Sequence, residues 1–261
     1  MPSDIDANES VIVRLDAIDS TNSEALRQAR AGTLKNAWVL AETQTGGRGR
    51  TGRGWSSAPG GLYASRLMIS DLPLQNLTGL TFTAGIAVYD TSAEHLSPDN
   101  QAGLMLKWPN DLLHGPAKLS GILTETEPLP GNKTAVAIGI GLNVANTIDN
   151  TDAPTTSLAR LGGDSDVTAV FASLAKYLAK HLVRWDEGAG FMKTLEDWQA
   201  RAMTIGTATQ VRLPHETIRG TYAGVDHSGA LALRLQTGGT RIIHAGEIII
   251  APNPGANGAQ S

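Results

Sequence analysis

Three arginines, at 48, 50 and 53, stand among five glycines in GGRGRTGRGW, residues 46–55. A guanidinium fork binds phosphate or carboxylate through two parallel hydrogen bonds. Glycine leaves backbone N–H groups free to approach an anion closely. The stretch is not a P-loop, because no Gly-Lys-Ser/Thr follows it. An anion-binding loop and a flexible surface linker both fit this composition. KWPND, residues 107–111, is the second candidate. Pro109 fixes the chain where it leaves a strand. Asn110 and Asp111 offer oxygens to a nucleotide or its Mg²⁺, although a turn closed by an Asx hydrogen bond uses the same residues. Lys118 opens the apolar run KLSGIL, where it faces either a ligand carboxylate or water. Asn143 ends IGIGLN, whose glycines suit close helix packing or close ligand approach.

Other chemistries find no footing. The chain has no cysteine, which excludes disulfides and thiol catalysis and fits a reducing cytoplasm. Its six histidines show neither HxH nor HExxH spacing, so no protein-bound zinc is expected. No GxSxG elbow and no helix-opening GxGxxG appears. The formal net charge of −4 argues against a protein built mainly to hold nucleic acid. The N-terminus lacks a signal-peptide pattern, and no run reaches the ~20 apolar residues of a spanning helix.

The elements that must position these residues follow from patterning. VIVRLDAI (11–18), AWVLAETQ (37–44), GLYASRLMI (61–69) and LMLKW (104–108) are expected strands. KLSGILTETE (118–127) and TAVAIGIGLNV (134–144) flank a Leu-Pro-Gly-Asn turn and form a hairpin. Thr21 and Glu24 have capping-box spacing, and Gly32 suits a C-terminal stop. Residues 77–96, 167–185 and 191–203 have helical spacing. Residues 145–165 are loop-like. After Gly206, ATQVRL, IRGTYAGV, ALALRLQ and TRIIHAGEIII suggest a small barrel. The expected organisation is an α+β domain over 9–203 with a mixed sheet, a small β domain over 204–251, and a disordered tail over 252–261.

Taken in order, STN (20–22), AETQTGGRGRTGRGW (41–55), GLYAS (61–65), KWPNDLL (107–113), KLSGILTE (118–125) and IGIGLNV (138–144) resemble the biotin protein ligases. The resemblance runs from about residue 11 to 250. It implies a catalytic domain like that of class II aminoacyl-tRNA synthetases, followed by a Src-homology-3-like β-barrel. It also implies a monofunctional cytoplasmic enzyme without an N-terminal DNA-binding domain. Such an enzyme activates biotin with Mg·ATP as biotinyl-5'-AMP and transfers it to a lysine of a biotin carboxyl carrier protein, a subunit of acetyl-CoA carboxylase or a related enzyme.

By the same resemblance, Ser20, Thr21, Asn22 and Gln44 meet biotin. Arg48, Gly49 and Arg50 belong to the loop over biotin and the adenylate, and Lys118 meets the biotin carboxylate or acyl phosphate. Arg53 and Trp55 close over the nucleotide, while Lys107, Asn110, Asp111 and Asn143 lie on the ATP side. Lys118, Arg48 and Arg50 are the expected catalytic residues. Thr51 and Gly46 depart from some relatives, which have arginine and alanine there. The loop is expected to be mobile without ligand.

Three other readings stand beside this one. A lipoate or octanoate ligase shares the general fold, a nucleic-acid module could use the Gly/Arg loop, and a biotin sensor could keep the fold without the chemistry.

Overall fold

The computed structural model describes residues 10–147 and 154–249. The expectation for the tail at 252–261 lies outside the described residues.

Seven strands form one sheet: β1 (Val11–Ile18), β2 (Ala37–Gln44), β3 (Gly61–Ser70), β4 (Leu104–Lys107), β5 (Asp111–His114), β6 (Ala117–Leu129) and β7 (Lys133–Asn143). Their order is β1-β2-β3-β7-β6-β5-β4. β1 and β2 run parallel, joined by helix α1 (Thr21–Arg30), and every other neighbouring pair is antiparallel. Helices α2 (Leu74–Leu77), α3 (Gly79–Glu94) and α4 (Pro98–Gln101) connect β3 to β4. Helices α5 (Val167–Trp185) and α6 (Phe191–Gln199) follow the sheet.

The period-2 alternation of strand side chains divides the core. Trp38, Leu40, Leu62, Ala64, Val136, Ile138 and Ile140 join the main cluster with residues of α3 and α5. The intervening Val39, Leu67, Ala135 and Ala137 form a second cluster with Ala25 and Ala29 of α1. Alanines at these places let α1 lie close to the sheet. α1 covers only part of that face, and the uncovered part begins at its N-terminus.

The C-terminal strands β8 (Ala208–Arg212), β9 (Thr217–Val225), β10 (Leu231–Leu235), β11 (Thr240–Ile243) and β12 (Glu247–Ile249) form a second, antiparallel sheet. Its order is β11-β10-β9-β8-β12, which leaves β11 and β12 as the two edges. The run TRIIHAGEIII is therefore two strands, because the chain turns at His244–Gly246 to reach the far edge. The two sheets are tied together. The Trp108 indole donates to the Gly229 carbonyl at 3.0 Å. The Tyr222 hydroxyl donates to Gln199 Oε1 at 3.1 Å.

Three expectations need correction. The N-cap of α1 is Ser20, whose Oγ accepts from Ser23 N; Thr21 is the first helical residue and its hydroxyl is used elsewhere. α6 ends at Gln199, because residues 201–203 extend to pair with Leu106 on the edge strand β4. β5 was not foreseen at all. Four residues directly after a proline turn carry too little periodicity to register.

Candidate active site

Strand register explains why distant motifs converge. Lys107 pairs with Asp111, Asp111 with Gly121, Gly121 with Gly141, and Gly141 with Tyr63. Directly paired residues share a face. KWPND, KLSGIL, IGIGLN and GLYAS therefore each contribute to one row across the uncovered face. Lys118 joins the row through a bulge. Ser120 pairs with Leu112 but Lys118 with Leu113, so Leu119 is the extra residue. A bulge reverses the side-chain alternation beyond it. Lys118 thus points to the same side as Asp111 and Gly121.

The charges of this row are concentrated on one buried carboxylate. Asp111 Oδ1 lies 2.6 Å from Lys118 Nζ, and its Oδ2 lies 3.0 Å from Lys107 Nζ. Burial opposes ionisation of Asp111. The charges and hydrogen bonds of Lys118 and Lys107 outweigh it and hold the carboxyl below its usual range. Arg50 feels the same carboxylate. Burial draws its guanidinium pKa down, the neighbouring Arg53 acts in the same direction, and Asp111 and Glu247 pull it back up.

The middle of the row is bare. A Cβ on Gly141 would come within 2.5 Å of the Trp55 ring, and one on Gly121 within 2.9 Å. The two glycines make room for that indole, and Lys118 Nζ lies 5.2 Å from the ring centroid. The buried Trp55 Nε1 has no hydrogen-bond partner.

The neighbouring row of Leu123, Gly139 and Ser65 meets the start of α1. A Cβ on Gly139 would lie within 2.5 Å of Asn22 Oδ1. Asn22 Nδ2 donates to the Leu123 carbonyl at 3.0 Å and to Glu125 Oε2 at 2.8 Å, while its Oδ1 accepts from Ser65 Oγ at 2.6 Å. Gln44 Oε1 accepts from Thr21 N at 2.8 Å and from Thr21 Oγ1 at 3.1 Å. Gln44 Nε2 donates to Ser57 Oγ at 2.9 Å. Ser20, Thr21 and Asn22 are all buried. The result is a polar pocket wall at a helix N-terminus, where orphan N–H groups suit a polar ligand.

The Gly/Arg loop is a folded hairpin rather than chain without structure. Gly49 N donates to the Arg53 carbonyl at 2.7 Å and Trp55 N to the Gly47 carbonyl at 2.9 Å. Arg50–Gly52 form a single 3-10 turn in which Thr51 has φ 57°. Each arginine has an anchor. Arg48 Nη2 is 3.2 Å from Glu125 Oε1, Arg53 Nη1 is 2.8 Å from Glu247 Oε1, and Arg50 Nη1 donates to the Gly246 carbonyl at 3.3 Å. The loop consequently touches both sheets.

Two expected site residues hold backbone. Asn110 Nδ2 donates to the Ile122 carbonyl at 2.6 Å, and Ile122 N returns a bond to the Asn110 carbonyl. Asn143 is buried and donates to the Thr156 carbonyl at 2.9 Å. Ser57, Ser65, Gly121 and Glu125 also line the site, and sequence reasoning gave them no role. The alternation of β6 from Gly121 to Leu123 to Glu125 is the signal that could have found Glu125. Among the described residues, no group of three or more His, Asp or Glu could hold a metal. No helix there is long and apolar enough to cross a membrane.

Comparison with known proteins gives the family. Residues 15–143 match the biotin/lipoate A/B protein ligase family, and residues 204–250 match the biotin protein ligase C-terminal domain. The chain is 33% identical over 236 residues to the biotin–[acetyl-CoA-carboxylase] ligase of Mycobacterium tuberculosis, covering 88% of this chain and 85% of that protein. The chain belongs to the biotin protein ligase family. A second family member, the biotin–[acetyl-CoA-carboxylase] ligase of Paracoccus denitrificans, is 34% identical over 235 residues, with 88% and 96% covered. The biotin protein ligase from Aquifex aeolicus, solved in complex with biotin and ATP, superposes with a TM-score of 0.74 at 28% identity, covering 92% of this chain and 98% of that one. The α+β architecture with its C-terminal β sheet is the fold of this family.

Proposed function

We propose that the row running from Lys107 to Tyr63, together with the start of α1, is where this biotin–protein ligase activates biotin and holds the product. The observation that carries the reading is the placement of Lys118, Asp111, Gly121 and Gly141 on one face beneath Trp55 and the Gly/Arg hairpin. The substrates are biotin and Mg·ATP, and the acceptor is a carrier-protein lysine of an acetyl-CoA carboxylase. Relatives carry that specificity in their names. Mg²⁺ enters as part of the ATP substrate. Asp111 is the carboxylate on that side, and one or two carboxylates are the usual protein share of such a site. The domain division at about residue 204 assigns catalysis to the seven-stranded sheet and a supporting role to the C-terminal sheet.

The chemistry joins two anions. The biotin carboxylate attacks the α-phosphorus of ATP, pyrophosphate leaves, and biotinyl-AMP forms. A carrier lysine amine then attacks the mixed anhydride carbonyl, and AMP leaves. No protein nucleophile is needed, so positioning and charge stabilisation do the work. Ser20, Thr21, Asn22 and Gln44 orient the polar ring of biotin. Lys118, Arg48 and Arg50 offset the repulsion between carboxylate and phosphate, and Gly49 lets the backbone approach them. Arg53, Trp55, Lys107, Asn110, Asp111 and Asn143 form the nucleotide side; Asn110 and Asn143 act there by fixing the strand ends. The hairpin covers the adenylate and keeps water away.

Exchange of labelled pyrophosphate into ATP tests the reading. Exchange should appear with biotin and not with lipoate. Exchange supported by lipoate alone, or by neither acid, would sink it.

A further inference from the structure

The hairpin carries three arginines, and one of their partners has no part in the scheme above. Glu125 lies on β6 in register with Ala137 and Leu67, two residues that seat α1. A carboxylate at the edge of an apolar seat calls for compensation. It has it from two directions. Both Glu125 oxygens accept from Arg48 Nη2 at 3.2 Å, and Oε2 accepts from Asn22 Nδ2 at 2.8 Å. Asn22 is buried at the start of α1, while Arg48 is exposed at the base of the hairpin. Glu125 thus bonds both the helix end and the loop.

We propose that Glu125 is a positioning residue: a catch that holds the Gly/Arg hairpin over the site by pairing with Arg48, while Asn22 fixes the catch itself. The proposal rests on the reading of the hairpin as a cover, but its first test does not. Arg48, Arg50 and Arg53 are trypsin sites, and cleavage of a loop follows the population of its open form when opening is fast. Glu125→Gln keeps an acceptor for Asn22 and removes the charge facing Arg48. Cleavage within 48–53 should quicken about two- to fivefold without ligand, the range expected for a partly exposed ion pair. Raised salt should speed the cut more in the wild type than in Glu125→Gln, because only the former has the Arg48–Glu125 pair to screen, whereas the Arg53–Glu247 pair is present in both. Glu127→Gln, which breaks the Arg30–Glu127 pair two residues along the same strand, serves as the control and should leave the cut unchanged. Equal cleavage of wild type and Glu125→Gln, or equal acceleration by Glu127→Gln, would overturn the catch.

The second readout is release of preformed biotinyl-AMP. Release should quicken in Glu125→Gln and stay unchanged in Glu127→Gln. Faster cleavage without biotin-dependent pyrophosphate exchange in the wild type would leave the catch standing and remove the functional reading instead.

Discussion

Lys118 and Arg50 carry the same charge in different settings, and this separates their effects. Lys118 sits on a rigid strand, is directed by a bulge, and lies 2.6 Å from Asp111. Arg50 sits on the hairpin, where its guanidinium donates to the Gly246 carbonyl. Lys118→Ala should therefore lower biotin-dependent pyrophosphate exchange by about 10²-fold or more, the scale of losing one preorganised charge donor. Arg50→Ala should form the adenylate more readily than Lys118→Ala does, yet lose it faster, as seen by trapping free biotinyl-AMP. A Lys118→Ala enzyme with a normal pyrophosphate burst would refute this division, as would an Arg50→Ala enzyme that retains the adenylate. The types of these residues were legible in the sequence, because Gly/Arg loops and strand-end lysines have few uses. Their partners were not. Asp111 was read for its oxygens, and nothing local announced that two lysines would claim them. Glu125 was hidden in a run of alternating threonine and glutamate, where only the register shows which carboxylate faces the site.

Among elements, the central strands were legible because β-branched and apolar runs bounded by turns have one comfortable conformation. β6 and β7 pair as their turn implied. The bulge at Leu119 was not legible, since the bond pattern that creates it lies in β5. The glycines of IGIGLN were left open between helix packing and ligand approach. Gly139 packs against Asn22 of α1, and Gly141 receives the Trp55 ring. Gly141→Ala places a Cβ where the indole lies, and both cannot stay. Trp55 should be displaced, the hairpin should lose its apolar anchor, and the KM for ATP should rise about tenfold or more, as small misplacements at reacting groups do. An unchanged KM would show that the indole has no share in nucleotide binding.

Across the whole molecule, one partly buried carboxylate ties α3 and α5 to the segment that follows α6. Asp90 on α3 lies 2.8 Å from His181 Nε2 on α5 and 3.0 Å from Arg201 Nε beyond α6. Burial opposes its ionisation, but His181 and Arg201 prevail and hold the carboxyl below its usual range. A depressed carboxyl contributes stability above its unfolded pKa of about 3.9 and loses it as pH falls through the lower folded value. Asp90→Asn should cost about 2–3 kcal/mol at pH 7. The gap to wild type should narrow as pH falls below about 4 in denaturant unfolding; a gap that persists in acid would exclude the charge as its source. The helices that meet at Asp90 were visible as patterns, but their meeting point was not, because its residues are far apart in the chain. The link between the two sheets was equally hidden. Lys107 and Asp111 face the site, while Trp108 between them is buried and bonded to Gly229 in the C-terminal sheet. Residues 201–203 run from α6 along the edge of β4 on their way to that sheet. A protein cut at residue 204 would keep every residue of the lysine–aspartate row and lose the surface against which that strand end is braced. The C-terminal sheet is an abutment of the proposed catalytic site, and dividing the chain there would yield a damaged enzyme rather than a smaller one.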